Sequence, residues 1–527
     1  MRRWLRSEYS FALVSAAVFA LFSLVATAPA FAQTSDDDAS MEDILGGFDD
    51  DAGDAAEDAD SDDDAGSEMD NILGGFDDDD DLPVSDNTEP EPQADRAWDL
   101  QGDLSFGLSA SLHDHDSSTG TDYSGLQRFR TKLALQLDMD LPKEWKFRTS
   151  GYGFYDLAYE INGRHDYTRE VLDTYEYDLQ LTDTYVEGSL HEQVDLKVGR
   201  QVVNWGRSET IRVLDIINPI DNREPGLVDI EDSRRSVGMA RLGFFHGPWT
   251  LTVLAIPEVR YDLTPVRGSD FLPDIDEFIP ADPMAFLESL SPKKAPIAAD
   301  LFAIPADEFA DPTTKTGKDF GKSTEAAVNL TGVFSGWDVS LQAALFNNDS
   351  PHFDLNDGRF EHARLWMVGT GANYTVGSWL FKAELAFTDG LEFMWATGKK
   401  SRVDAMAGIE YYGISDVNIV FEIAERHIND FEDSMELFLD FAQEDTIESA
   451  LRISMNFWND SLHFTVLGLA IGEKAQDGSI VRLSGEYDVI DALSVEAGFL
   501  LFQSGDSFFF TGAGDNDRFF AGAKYSF

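Results

Sequence analysis

The 527-residue chain contains no cysteine, which excludes a disulfide framework and thiol chemistry. Beyond residue 32 it lacks any run of the ~18 consecutive apolar residues that a membrane helix needs. Residues 33–95 lack lysine and arginine altogether while holding 26 aspartates and glutamates, so this segment repels nucleic acid. Its few apolar residues cannot offset the entropy of ordering, and disorder is the expectation. No nucleophile elbow, phosphate-binding loop or zinc-protease helix occurs. The acidic "DADSDDDAG" has the aspartate spacing of a calcium loop. Asp63, however, stands where the sharp turn needs glycine, and Met69 where the bidentate glutamate belongs. "HDHD" sets His113 and His115 on one face of a polar loop, a pattern more typical of bystanders than of ligands. No enzyme, catalytic residue, cofactor or metal is expected.

What is present begins with an export signal. Residues 1–32 comprise a basic start, an apolar stretch and a small-residue exit ending at Ala32. Residues 33–96 follow as an acidic periplasmic tail, in which "MEDILGGFDDD" (41–51) returns as "MDNILGGFDDD" (69–79). Each copy offers an apolar anchor on a self-repelling tether: Ile44, Leu45 and Phe48, then Ile72, Leu73 and Phe76. Three readings stay open: capture of a periplasmic carrier protein, with two copies adding avidity, a neutral duplication, or a plug for a cationic lumen.

From Trp98 the pattern has a period of two. Leu100, Leu104, Phe106 and Leu108 alternate with Gln101, Asp103 and Ser105; Phe129, Leu133, Leu135 and Leu137 alternate with Arg128, Arg130, Lys132 and Gln136. Strands this long, greasy on one face and polar on the other, suit an all-β, transmembrane antiparallel outer-membrane barrel over 97–527. Soluble sandwiches use strands of about 5–6 residues. Short links at "LPKEW", "LHEQ", "HGPW", "SGW", "VGSW", "GISD", "WNDS" and "VIDA" alternate with longer polar segments, giving 16 to 18 strands, with 18 the best count. An even number places both ends in the periplasm. The terminal "FFAGAKYSF" puts Gly522, Tyr525 and Phe527 where barrel-assembly machinery reads its clients, although Phe520 occupies a position expected to be polar. Outer-membrane lipid and lipopolysaccharide are the expected surroundings.

"VGRQVVNWG" (198–206), Asn218-Pro219-Ile220-Asp221, Gly268-Ser269-Asp270-Phe271 and Ser335-Gly336-Trp337-Asp338 follow one another in order. With these motifs residues 98–527 resemble the proteobacterial domain-of-unknown-function 1302 family of outer-membrane barrels. The resemblance implies work with periplasmic lipid-carrier-like proteins and inner-membrane exporters, and traffic in apolar or amphipathic molecules.

Cations crowd the early barrel. Arg128, Arg130, Lys132 and Arg148 fall on inward faces, and Lys197, Arg200, Arg207, Arg212, Arg223, Arg234, Arg235 and Arg241 follow within about 45 residues. A phase slip at Gly199-Arg200 suggests a bulge that re-aims Arg200 and Gln201, beside Asn204 and Trp205. The set reads either as a ladder that holds carboxylates or phosphates, or as an ion-pair network with Asp178, Asp183 and Glu187. Two loops, 206–235 and 262–322, are too long for turns. The second carries Phe271, Leu272, Phe278, Ile279, Met284, Phe286, Leu287, Leu301 and Phe302, in keeping with a constriction, an apolar lid or a packed loop. Function divides into a barrel that passes small anionic or amphipathic molecules and a non-conducting scaffold that recruits partners through its tail and loops.

Overall fold

The structure, a computed structural model, describes residues 97–527 apart from 115, 118, 273–323, 355–358 and 438–439. The expected leader, the acidic tail with both repeats, His115 and most of the second long loop lie outside the described residues.

The strands in chain order are β1 (Trp98–Ser111), β2 (Leu126–Leu141), β3 (Trp145–Asp156), β4 (Tyr177–His191), β5 (Val194–Gln201), β6 (Val237–His246) and β7 (Trp249–Ile256). Next come β8 (Glu325–Phe334), β9 (Trp337–Asn347), a small hairpin of β10 (His352–Asp354) and β11 (Arg359–Glu361), β12 (Arg364–Val376) and β13 (Trp379–Leu391). The last are β14 (Lys400–Ile414), β15 (Val417–Asn429), β16 (Asp445–Phe457), β17 (Leu462–Ile471), β18 (Gly478–Ile490), β19 (Leu493–Gln503) and β20 (Arg518–Ser526). All but the hairpin form one 18-stranded antiparallel sheet in which each strand pairs with its chain neighbours. β20 returns to β1, with Ser111 opposite Arg518 and Asp103 opposite Ser526, so the sheet closes.

Closure removes the sheet edges, and alternation sorts the faces. Leu133, Leu135, Val198, Leu251, Val253, Leu341, Leu345, Leu385, Phe421 and Ile423 are exposed on the outer face. Trp98, Trp249, Trp337, Trp379 and Tyr525 gather by the short turns, and Tyr155, Tyr177 and Trp366 by the opposite rim. Such paired aromatic girdles mark the two interfaces of a membrane barrel. The eight short links anticipated from the sequence are the eight tight turns. In the first, Lys143 and Glu144 adopt φ of 67° and 62°, the left-handed pair that matches the twist of a two-strand ribbon. No helix among the described residues is long and apolar enough to cross a membrane.

The carboxy terminus completes the seam. Phe527 N–H donates to Gly102 O and Gly102 N–H to Phe527 O, both at 2.8 Å. A Cβ on Gly102 would collide with the Phe527 ring at 2.6 Å. Tyr525 and Phe527 stack at 6.4 Å on the outer face, and Gly522 lies opposite Gly107. Phe520 is buried on the inner face beneath the Arg482 guanidinium at 5.4 Å, which accounts for an aromatic where a polar residue was expected.

Candidate functional site

The segment 202–236, between β5 and β6, folds into the barrel and is held on opposite walls. Two buried carboxylates grip its first half. Glu384 on β13 accepts the backbone N–H of Arg207, of Ser208 at 3.1 Å and of Leu214 at 2.9 Å. Glu422 on β15 accepts the N–H of Glu209 at 2.8 Å and Thr210 at 3.0 Å and the Ser208 hydroxyl at 2.6 Å. Lys382 joins Glu209 at 2.7 Å to Glu410 at 2.9 Å, and Arg207 pairs with Asp338. Ile211, Val213 and Leu214 pack on Met367, Ala386, Met406, Ala424 and Ala450; Val203 and Ile217 pack on Met239, Leu254, Ile256, Ala327 and Ala344. Small inward residues make room for this contact: a Cβ at Gly369 would strike Leu214. Asn218 stitches the segment together, accepting from Val203 N–H at 2.7 Å and donating to Gln201 O and Arg235 O at 3.2 and 2.8 Å.

The second half turns to the cationic wall. Glu224 meets Arg130 at 2.7 Å and Arg128 at 3.7 Å, and Arg130 also holds Asp156 at 3.2 Å. Burial opposes ionisation of Glu224, but Arg128 and Arg130 outweigh it and hold the carboxyl down to about 2. Asp229 reaches Arg482 at 2.8 Å and Arg452 at 3.4 Å, while Arg223 pairs with Asp221 at 2.6 Å and Asp178 at 2.9 Å.

Between this half-loop and the wall of β1–β4 and β18–β20 lies a cavity of about 730 Å³. Arg128, Arg130, Lys132, Arg223, Arg235 and Arg260 line one side of it, with Tyr152, Phe154, Gln180 and Thr182 between them. Of its cations, Lys132, Arg235 and Arg260, together with the exposed Lys524, have no carboxylate oxygen within 4.0 Å among the described residues. Lys132 sits over the Tyr152 ring at 4.5 Å. Arg235 donates to Tyr261 O at 2.5 Å, and Arg260 donates to Ser236 O at 2.6 Å and Gln180 Oε1 at 3.3 Å. These crossed bonds tie 235–236 to 260–261 and hold the two guanidinium groups side by side. Burial, then the adjacent Arg260 charge, pushes Arg235 down to about 10, so it stays cationic at neutral pH.

The other anticipated residues are dispersed. Arg148 binds Asp138 at 2.7 Å, and Lys197 binds Glu187 at 3.4 Å beneath the Tyr185 ring, with Arg241 opposite it on β6. Arg200 forks onto Glu258 at 2.5 and 3.0 Å and does not line the cavity. Gln201 is buried and donates to the carbonyls of Lys197, Gly199 and Met239, each at 3.4 Å. Asn204 Oδ1 caps Gly206 N–H at 2.8 Å, and Trp205 packs on the Val203 cluster. Of the anticipated acidic partners, Glu187 pairs as expected, Asp178 takes Arg223, and Asp183 accepts from the Ser236 hydroxyl. His113 lies 3.8 Å from Asp517, and no group of three metal-ligating side chains occurs among the described residues.

Sequence reasoning missed the grip itself. Glu384, Glu422, Lys382 and Glu410 are charged residues at alternate places in greasy strands, the one signal that could have exposed them. It also missed Arg260 and Arg482. The segment that enters the barrel among the described residues is the earlier loop; of 262–322, for which a constriction, an apolar lid or a packed loop was expected, Phe271 is buried under Arg518 at 4.2 Å and 273–323 lies outside the described residues.

Several solved barrels are similar. A crystal structure of OccAB2 from Acinetobacter baumannii has 10% identity and a TM-score of 0.45 over 82% of this chain and 98% of that one. OpdK from Pseudomonas aeruginosa, crystallised with vanillate, has 12% identity and a TM-score of 0.44 over 81% and 98%. The outer-membrane channel DcaP of Acinetobacter baumannii has 12% identity and a TM-score of 0.37 over 82% and 97%. No curated protein matches the chain. The profile described as "Protein of unknown function (DUF1302)" matches residues 12–527, a longer span than the 98–527 anticipated, since it takes in the acidic segment. The motifs that carried the resemblance serve the inward loop and the barrel mouth: Asn218 stitches, Asp338 holds Arg207, and Asp270 holds Arg518 at 3.3 Å. The chain is a member of the DUF1302 family.

Proposed function

We propose that the protein is an outer-membrane channel for small anionic or amphipathic molecules. The observation that carries this reading is the cavity of about 730 Å³ in which Lys132, Arg235 and Arg260 lack carboxylate partners among the described residues. These half-buried cations share the cavity with carboxylates such as Asp103, Asp221 and Asp232 but pair with none of them directly, which leaves their donors open to a ligand. Three donors on a preformed polar wall can take a carboxylate or phosphate bidentately. Planar-bilayer recording of refolded protein tests the reading. Channel openings with a reversal potential that favours anions support it, and a silent bilayer refutes it.

A second reading, a non-conducting scaffold, draws on the loop 202–236, which enters the barrel and is clamped there by Glu384 and Glu422. The same recording separates the two. The acidic tail extends either reading: its paired ILGGF motifs are proposed to capture a periplasmic carrier protein.

A further inference from the structure

β4 runs from Tyr177 to His191, but its pairing with β5 stops at Thr184 opposite Arg200. Residues Tyr177–Asp183 thus have β3 on one side and no strand on the other among the described residues. Within a bilayer such an edge is costly, since lipid offers nothing to backbone N–H and C=O groups. The edge nevertheless lies at membrane depth. Trp145 and Tyr155, outward on β3, span roughly 25 Å of apolar band, and Tyr155 is opposite Tyr177. The free edge thus descends from the far aromatic rim into the band, and Leu179 on it is 84% exposed.

Side chains stand where a ladder would be. Arg200 donates to Leu181 O at 3.3 Å, Arg260 to Gln180 at 3.3 Å and Arg223 to Asp178 at 2.9 Å, and Ser236 donates to Asp183. Immediately behind this seam Gln180, Thr182, Arg235 and Arg260 line the cavity. One layer of polar side chains therefore separates the guanidinium groups of Arg235 and Arg260, bonded only to neutral acceptors, from outward Leu179 and Leu181.

We propose that this seam is a lateral port for an anionic amphiphile, a single apolar chain ending in a carboxylate or phosphate. Its head rests on Arg235 and Arg260, and its chain leaves between β4 and the 234–238 segment, along Leu179 and Leu181, into the distal half of the bilayer. The proposal rests on reading the lumen as an anion site. A fully water-soluble anion gains nothing from an unpaired strand edge at membrane depth, because backbone there is tolerated only where it lines protein or a wet cavity. A substrate with one end that prefers lipid does gain.

The absence of cysteine allows a clean lock: D183C with S236C, in the full chain in liposomes, joined by oxidation or a short bis-thiol reagent. The probes are a fluorescent dodecanoate, a dodecyl phosphate and chloride. Locking is expected to slow both dodecyl probes tenfold or more, leave chloride conductance within twofold, and reverse on reduction. A slowing confined to one head group supports the port and assigns the head. Unchanged probe transfer in fully locked protein overturns the port, as does an equal fall in probe and chloride flux. Seam-dependent probe transfer without any chloride conductance supports the port while refuting the ion-channel reading.

Discussion

The two halves of the lumen wall use charge in opposite ways. On β13–β15 the carboxylates of Glu384 and Glu422 are buried and saturated by backbone N–H groups and one hydroxyl of the inward loop, so their charge is used up in holding structure. On β2, the facing loop and the segment after β7, Lys132, Arg235 and Arg260 have no carboxylate oxygen within 4.0 Å among the described residues, and these are the groups proposed to meet a ligand. A charge saturated by peptide groups anchors; a charge left with only neutral acceptors is the kind proposed here to recognise a ligand. The distinction is one of hydrogen-bond satisfaction rather than of charge density.

The largest effect is expected from breaking the anchoring side. Glu384→Ala with Glu422→Ala removes an acceptor from six donors, of which Leu214 N–H is buried and the others half-buried, at up to roughly 1–3 kcal/mol each. The barrel should still assemble, since its ladders are untouched, while the loop leaves the wall and single-channel conductance rises several-fold. Unchanged conductance in the double variant would show that these carboxylates do not position the loop.

Removing the recognising side should matter less for assembly and more for selectivity. Arg235→Ala with Arg260→Ala is expected to lower anion preference on the order of tenfold, the worth of one charge-assisted hydrogen bond of roughly 1.5 kcal/mol. Reversal potentials in a salt gradient measure this. Arg169→Ala, which removes an exposed cation paired with Asp173 outside the cavity, should leave selectivity alone and serves as the control.

A pH series sharpens the contrast. Glu224 is held down to about 2 from an ordinary 4.5, a depression worth about 3 kcal/mol. A depressed carboxyl contributes its stability fully above the unfolded pKa and loses it as pH falls through the folded one. Unfolding free energy should therefore drop between about pH 4.5 and 2, and Glu224→Gln should flatten that part of the curve. A variant with the same slope as the parent in this window would remove Glu224 from the account.

The smallest effect on the lumen is expected from the tail. Phe48→Ala with Phe76→Ala should leave conductance unchanged yet abolish capture of a periplasmic carrier protein in pull-downs with purified candidates. Deleting 33–95 should likewise leave conductance unchanged, and a rise would favour the plug.

Much of the fold was legible because alternation and turn chemistry are local. The eight short links, the long strands and the closing aromatic end all follow from neighbours in sequence. What the inward loop touches is not local. Glu384 lies 170 residues from Leu214, and nothing in "FKAELAF" says that its carboxylate will meet a peptide N–H rather than water. Arg200 shows the same limit at close range. The bulge expected at Gly199-Arg200 is absent, since the pairing with β4 and β6 runs through both residues without a shift although Gly199 has a φ of 136°, and the direction in which the Arg200 side chain turned depended on Glu258 after β7. Lys132 and Arg130 both line the cavity, yet which of them is saturated depends on Glu224, delivered by the loop.

The central claim is that Lys132, Arg235 and Arg260, cations without a carboxylate partner among the described residues, make the lumen an anion-selective path. The most direct measurement is the reversal potential of single channels in a potassium chloride gradient, for the parent and for Arg235→Ala with Arg260→Ala. An anion-selective parent whose preference falls about tenfold in the variant is the predicted result. A parent that conducts without anion preference, or a variant with the parent's reversal potential, would contradict it.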